Sequence, residues 1–583
     1  MSENIFKKII NGKPYYYFQE SWREKIERNS EGKTRGSGKS KVCTRSVYLG
    51  SARDIFEKVR GAPEPSEVGH RSFGFEAALL QTAADIGLVD ILRANIPGSR
   101  FGIERWKYFL ISVINRPVAA TSKEAMGAWA AKTALPDLLG FSPDSLNSKS
   151  FWYATDDVIS EKQLRDTREE DDKIPDELFA GLDDSLFVKM ENQLAQNLSR
   201  RFGLEPEAVL YDTTNFFTYI EPPTPSMLAA TGHNKDCRHH LRQVGLALCV
   251  DKHWGIPFFH RIYRGNSQDA HTFSELIDDM CLQIKDVFPK VNNLVLVLDK
   301  GNNSKNAFEQ LEGRIHWVGS LVPSHFQDLL NIDIAQYEGL WNDTSFHALS
   351  RRVMGVDCKL VLTYNPVLAR KQEHTLSAGV EKLKKAVREK IASLKRPPVS
   401  VPKSVESMLK ESRYGKFIKV VAIKDGAPVF EEQREPWEEK KLRFGKNLLF
   451  TDKLDAKEEW IIEQYRQKDI IEKSFELLKS PGLIRFRPIR HWTDTKIRAF
   501  GFCCVMALAL IRVMLRKCEE AGLKMSAAVL KQELDDLKEV VMIYSPQKAE
   551  RKITRRSSVQ AQLWNLFDLD TPEKHLTIHK PIY

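Results

Sequence analysis

The sequence predicts an α/β protein: a mixed sheet interrupted by a strand-rich insertion, with helical regions on both sides. Three observations carry that prediction. Apolar, β-branched runs at 208–219, 243–250, 257–263 and 294–298 read as strands, and an amphipathic helix pattern at 269–287 separates the last two. Residues 312–450 then hold further strand-like pieces (315–321, 359–364, 417–423, 447–450) around one charged helix at 375–396, stopped by Pro397-Pro398. Helical patterns fill 72–135 and resume from 457 onward.

A chain of 583 residues corresponds to about four domains of ~150 residues. The formal charge of +10 comes from 88 basic and 78 acidic residues, so charge alone gives only a lean towards polyanions. Locally it is more telling. Residues 1–60 hold 14 Lys/Arg against 7 Asp/Glu, interleaved with aromatics in Lys13-Pro-Tyr-Tyr-Tyr-Phe and Trp22-Arg23. That pairing suits contact with a nucleic-acid backbone. The 8 cysteines form no Cys-x-x-Cys pair, which argues against a disulfide framework or a zinc site. There is no signal-peptide pattern and no uninterrupted apolar run of ~18 residues. The expectation is a reduced, cytoplasmic protein with no membrane partner.

In chain order, residues 1–60 form a basic, hairpin-like module around a Gly/Ser/Lys-rich turn at 31–40. Residues 61–204 form a helical DNA-binding region, with an acidic loop at 169–172 and a helix at 178–202. Residues 205–311 hold the first part of the core, 312–455 the insertion, 456–515 the second part of the core, and 516–583 a helical C-terminal region with a basic link at 548–556.

Within 205–311 the order is three strands, a helix, then a strand. The first three can form an antiparallel meander. The fourth must cross over, and its continuous Leu/Val run suits a buried parallel strand. This is the order of a ribonuclease-H-like fold. If the first and fourth strands pair, Asp212 and Asp299 become neighbours.

A third carboxylate, Glu472, lies in a helical stretch with Tyr465, Lys468 and Lys479, at spacings that place all four on one face of a single helix at 457–480. Three carboxylates without His or Cys partners favour hard ions, Mg²⁺ or Mn²⁺. Two such ions ~4 Å apart can activate a water or sugar hydroxyl and stabilise the leaving oxygen of a phosphodiester. Tyr465, Lys468, Lys479 and Lys300, with Asn302, can bind neighbouring phosphates. Each residue also has a plain structural reading: Asp212 as a turn aspartate, Asp299 as a helix N-cap, Glu472 as one of many helical glutamates.

These motifs bring the chain close to a family. It resembles the DDE transposases of bacterial insertion sequences, in the group with a Y-x2-R-x3-E-x6-K signature. Tyr465, Glu472 and Lys479 match at full spacing, with Lys468 in the arginine position. Asp212-Thr-Thr and Asp299-Lys-Gly-Asn resemble the family's D-x-T and D-R-G motifs, with Lys300 for arginine. Segments 232–243, 265–269 and 487–494 also look like family segments. The resemblance implies binding of terminal inverted repeats, metal-dependent strand cleavage and joining of a 3′-OH to target DNA. It implies a homodimer on DNA and an aromatic in the insertion that holds a flipped base, for which Trp317, Trp437 and Phe444 are the candidates. The alternatives are a ribonuclease-H-like nuclease without strand transfer and a transposase-derived DNA-binding protein.

Overall fold

The computed structural model describes residues 2–25, 40–60, 65–156, 158, 185–204, 207–221, 224–233, 238–289, 291, 293–394, 396, 398, 400–545 and 548–575. Outside them lie residues 31–39 of the expected turn, the acidic loop at 169–172, residues 178–184 of the expected helix and part of the 232–243 segment. The described residues divide into two compact units, one built from residues up to 71 with 539–553, the other from 72–538 with 554–575.

The first unit begins with three antiparallel strands, Ser2–Ile10, Lys13–Lys25 and Ser40–Gly50. The first was not foreseen. Its marker is Asn11-Gly12, which takes φ of 49° and 77°, the two left-handed positions of a tight hairpin turn. Phe6, Tyr17 and Tyr48 stack across the three strands, with ring centroids 5.5 and 5.2 Å apart. A second correction concerns the C-terminal region. Residues 538–553 are not helical but form a hairpin, Lys538–Ser545 with Lys548–Ile553, beside the strand Glu67–Ser72. The basic link is strand, because Arg551 and Arg71 converge on buried Glu539, at 3.2 and 2.6 Å.

The second unit holds a large mixed sheet. Its order is Pro257–Arg264, Arg242–Asp251, Ala208–Phe217, Val295–Leu298, His316–Ser320, Lys446–Thr451, Val356–Tyr364, Thr344–Val353, Gly339–Trp341. The first three strands form the expected antiparallel meander. Val295–Leu298 pairs parallel with Ala208–Phe217, and His316–Ser320 parallel with Val295–Leu298. Alternation sends Val209, Tyr211, Leu296 and Leu298 into one core with Phe273, Ile277 and Met280 of the helix Asp269–Val287.

The expected boundary at 312 does not hold. His316–Ser320 and Lys446–Thr451 belong to the main sheet, and the strands of 339–364 extend it. A separate small core does form, from Val380, Leu383 and Val387 of the helix Pro366–Ala392 with Phe417, Ile418 and Phe444. The helix Asp494–Glu520 is long and apolar enough to cross a membrane, but 89% of its most apolar window is buried inside the protein. It approaches the sheet closely at Gly501, where a Cβ would lie 2.0 Å from Ile262 Cδ1. Alanine there would require the Ile262 side chain to move.

Candidate active site

The Asp212 strand and the Asp299 strand run side by side, and their register fixes the site. Leu298 pairs with Tyr211, so Asp299 falls level with Asp212 one strand away, about 4.8 Å in the pairing direction. Tyr211 and Leu298 point into the core, so alternation sends both aspartates to the opposite face. Asp212 Oδ1 accepts a hydrogen bond from the Thr213 amide at 2.8 Å.

Asp299 precedes the short helical turn Lys300–Asn302 but does not cap it with its side chain. Its carboxylate turns to other partners instead. Oδ1 lies 3.2 Å from Tyr465 Oη, and Oδ2 lies 3.0 Å from Lys468 Nζ. Tyr465 Oη is also 2.8 Å from Ser320 Oγ, at the end of the neighbouring parallel strand. Burial works against the Asp299 charge, yet the Lys468 ammonium holds its carboxyl below the usual carboxylate range. Burial, reinforced by the Asp299 charge, pushes the Tyr465 phenol up to about 12, so it stays a neutral hydrogen-bonding group.

The single helix expected at 457–480 is two helices, Glu458–Arg466 and Asp469–Lys479. At the joint the hydrogen bonds tighten: the Lys468 amide donates to the Tyr465 carbonyl at 3.2 Å, three residues back. Lys468 is the residue at the joint, with helical φ of −52° and ψ of −28°. Its Nζ reaches Glu472 Oε1 at 3.1 Å as well as Asp299. Burial disfavours its charge, but Asp299 and the further charge of Asp212 more than offset this and raise its pKa. Tyr465, Lys468 and Glu472 therefore do converge, although the stripe crosses a break. They meet at one ammonium between two carboxylates, with the third acting through space.

The remaining expected residues fare differently. Lys300 is exposed beside Asp299, whereas Asn302 is buried and its Oδ1 has no hydrogen-bond partner. Asn302 is thereby removed from the solvent-facing phosphate contacts expected of it. Lys479 lies farther along the helix, its Nζ 5.9 Å from the Phe216 ring centroid. Trp317 is fully buried among Phe308 and its neighbours, with ring centroids 5.3 Å apart. Trp437 packs on Phe417 at 5.3 Å and Phe444 is buried in the insertion's core. Trp317 and Phe444 present no open face for a base, because the sheet and the insertion use these rings to fill their own interiors, whereas Trp437 is half-buried at the edge of the insertion's core. Ser320, which meets Tyr465, was missed; its only signal was its place at the end of a strand-like run.

A metal site fits the donor chemistry here. The set is all oxygen, and a cation already sits at the point where Asp299 and Glu472 converge: the Lys468 ammonium occupies the position of the positive charge the carboxylates call for. Among the described residues, no group of three His, Cys, Asp or Glu side chains is drawn together closely enough to enclose an ion without rearrangement.

No protein-family description matches the chain, and no curated protein does. Among solved structures, the chain is similar to a piggyBac transposase synaptic complex with hairpin DNA, with 10% identity, 79% of this chain and 77% of that chain covered, and a TM-score of 0.39. It is also similar to a Mos1 transposase paired-end complex with left transposon end, with 12% identity, 40% and 62% covered, and a TM-score of 0.15. At such values these are likenesses only, and what the site can do follows from its own side chains.

Proposed function

We propose that this chain is a DNA transposase with a ribonuclease-H-like core, binding the ends of a mobile element and acting on them as a homodimer. One observation carries the reading: Asp212 and Asp299 stand level on adjacent parallel strands, and Glu472 and Asp299 share one cation supplied from the Tyr465–Glu472 joint. The strand order, an antiparallel meander followed by two parallel strands, supports the fold assignment. The family-like motifs around the same residues support the activity.

In this reading Asp212, Asp299 and Glu472 hold Mg²⁺ or Mn²⁺. Such ions, held by these carboxylates, would supply the Lewis acidity that activates a water or 3′-hydroxyl and stabilises the leaving oxygen of a phosphodiester. The chain's own residues do the rest. Tyr465 orients the Asp299 carboxylate through its 3.2 Å contact and is itself fixed by Ser320. Lys468 keeps Asp299 and Glu472 together and holds Asp299 ionised. Lys300 and Lys479 flank the carboxylates and bind phosphates of the same strand.

The Lys468 ion pairs also favour one alternative. A chain whose carboxylates are neutralised from within could bind DNA without cutting it. Joining of a labelled 3′-OH end to plasmid DNA decides between the two, with end sequences taken from the DNA flanking the gene. Joined product in Mg²⁺, lost in Asp299→Ala, is the expected result. Cleavage without joining would leave a nuclease, and binding alone would leave a DNA-binding protein.

A further inference from the structure

One cavity of the second unit lies away from the carboxylates. It measures about 660 Å³ and is walled by the helices Arg105–Val118 and Ser148–Asp156, the segment 485–492 and the start of the helix Asp494–Glu520. Six cations line it, Arg116, Lys123, Arg485, Arg487, Arg490 and Lys496, against a single carboxylate, Glu124. Lys496 is already paired, 2.5 Å from Asp156. Among the described residues, Arg116, Lys123, Arg485 and Arg490 have no carboxylate partner. Among the described residues these four cations are not balanced by carboxylates. The effect shows in the neighbours: burial and then the charges of Lys123, Arg116 and Lys496 push His491 down to about 3. Burial, with Arg116 adding to it, takes Lys123 down to about 8.

The cavity is also aromatic. Trp152 and Trp492 meet with ring centroids 5.8 Å apart, and Trp492 remains 55% exposed. A tryptophan held against a second tryptophan at the mouth of a cationic cavity is a ready stacking platform. A simple polyanion would need no such rings, and an apolar ligand would need no such charge. The volume lies within the range of small-molecule sites.

The cavity is tied to the Asp212 strand. The amide of Ile489 donates to the Phe217 carbonyl at 3.1 Å, and that of Tyr219 to the Ile489 carbonyl at 3.2 Å. Arg487 lies over the Phe217 ring at 5.8 Å and Arg490 over Tyr219 at 5.6 Å. The five steps from Asp212 to Phe217 span ~17 Å of extended strand. Lys479, over Phe216, stands between the two ends.

We propose that this cavity binds a nucleotide, its base stacked on Trp492 and its phosphate held by Arg485 and Arg490. The nucleotide can come from a nucleic-acid strand running along the Asp212 strand or from the free pool; the recognising chemistry is the same. The inference stands on the cavity's own residues and goes beyond the proposed cleavage chemistry.

The test is calorimetric titration of the full chain with an oligothymidine, an abasic strand of equal charge, thymidine monophosphate and pyrophosphate. The oligothymidine is expected to bind about tenfold tighter than the abasic strand. Trp492→Ala should erase that difference, while Trp492→Phe restores most of it. Arg485→Ala with Arg490→Ala should weaken both strands alike. Binding of the monophosphate as tight as the oligothymidine assigns the site to free nucleotide; binding of the strand alone assigns it to a nucleic acid. Equal binding of the two strands by the unaltered protein would overturn the proposal. So would pyrophosphate matching the monophosphate, or Trp492→Ala binding like the unaltered protein. A cleavage defect confined to Asp299→Ala, with these titrations flat, would sink the cavity and spare the catalytic reading; the converse pattern would do the opposite.

Discussion

The N-terminal sheet and the central sheet are built from the same alternation and end in opposite environments. In the central sheet the strand Arg242–Asp251 is buried along almost its whole length, and the Asp212 strand nearly so. In the N-terminal sheet the strand Ser2–Ile10 is exposed at all but one position, and Ile5, Ile9, Val42 and Tyr48 are more than half exposed. Helices pack against the central sheet, Asp269–Val287 among them. The N-terminal sheet has one short helix, Ala52–Val59, none of whose residues is buried. A sheet with aromatic rows, scattered lysines and little core of its own is organised for contact rather than for stability. Chemistry belongs where geometry is held, and contact belongs where side chains remain open.

The sharpest way to break this comparison is to strike the carboxylates. Asp299→Ala, and likewise Asp212→Ala or Glu472→Ala, should lower single-turnover cleavage of end DNA about 1,000-fold or more. Affinity for the same DNA should change less than about threefold. A variant that cuts at near the normal rate removes its residue from the site.

Next comes stability. Trp317 is fully buried in the central sheet, so Trp317→Ala should cost about 3–5 kcal/mol. Tyr48→Ala, on a ring 53% exposed, should stay near the ~0.5 kcal/mol typical of surface changes. Denaturant melts of the two variants measure both; similar losses would mean the N-terminal sheet has a core after all.

Ionisation follows burial in the same way. Glu76, in the helix Gly74–Asp85, is fully buried, with one oxygen accepting from Ser72 Oγ at 2.9 Å and the other unpartnered. Burial pushes its carboxyl up to about 7. The folded state therefore holds this proton more tightly than the unfolded chain. The associated stability is fully present below the unfolded value of ~4.3 and is lost as pH rises through about 7. The total is on the order of 3 kcal/mol. Glu76→Gln should flatten the stability profile between these limits and leave the variant the more stable protein at pH 8. Melting temperatures at pH 5 and pH 8 decide it. Asp54, exposed in the first unit, is instead held low by hydrogen bonds at Ser51, with little burial to oppose them.

The N-terminal sheet should answer to charge. Replacing Lys7, Lys8 and Lys41 with glutamine should weaken binding to end DNA about tenfold and reduce the salt slope by roughly 2–3. Cleavage of bound DNA should be unchanged. An unaltered slope would mean this sheet does not meet phosphates.

What was legible in the sequence divides along the same line. The adjacency of Asp212 and Asp299 was readable because the continuous apolar run closed by Asp299 suits a buried parallel strand, and the crossover sets it beside the strand that carries Asp212 at its middle. The pairing of His316–Ser320 with Lys446–Thr451 was not readable, because more than a hundred residues separate partners whose own patterns are short. The break between Arg466 and Asp469 was hidden because Gln467 and Lys468 are good helix formers; tertiary pull on Lys468, not propensity, tightens the turn. The hairpin at 538–553 was misread because its charges were counted as a solvated link, when Glu539 and Arg551 in fact pair. Trp317 and Phe444 are buried for a general reason: in a strand-rich region aromatic side chains fill cores far more often than they wait for ligands.

The smallest expected effect separates two roles for Lys468. The sequence placed it against a phosphate, in the arginine position of the signature; the structure places its ammonium 3.0 Å from Asp299 and 3.1 Å from Glu472. If it positions the carboxylates, Lys468→Ala should leave DNA affinity within about threefold but slow cleavage of bound DNA about tenfold, on the scale of a charge-assisted hydrogen bond. Lys468→Arg should cut within about threefold of the normal rate, because a guanidinium can bridge two carboxylates. The same internal cation competes with any metal for Asp299 and Glu472, so Lys468→Ala should reach half its maximal rate at a lower Mg²⁺ concentration. A phosphate contact predicts the reverse pattern: Lys468→Ala loses affinity, keeps its rate at saturating DNA and needs the same Mg²⁺. Cleavage rates across a Mg²⁺ series, at saturating DNA, tell the two apart.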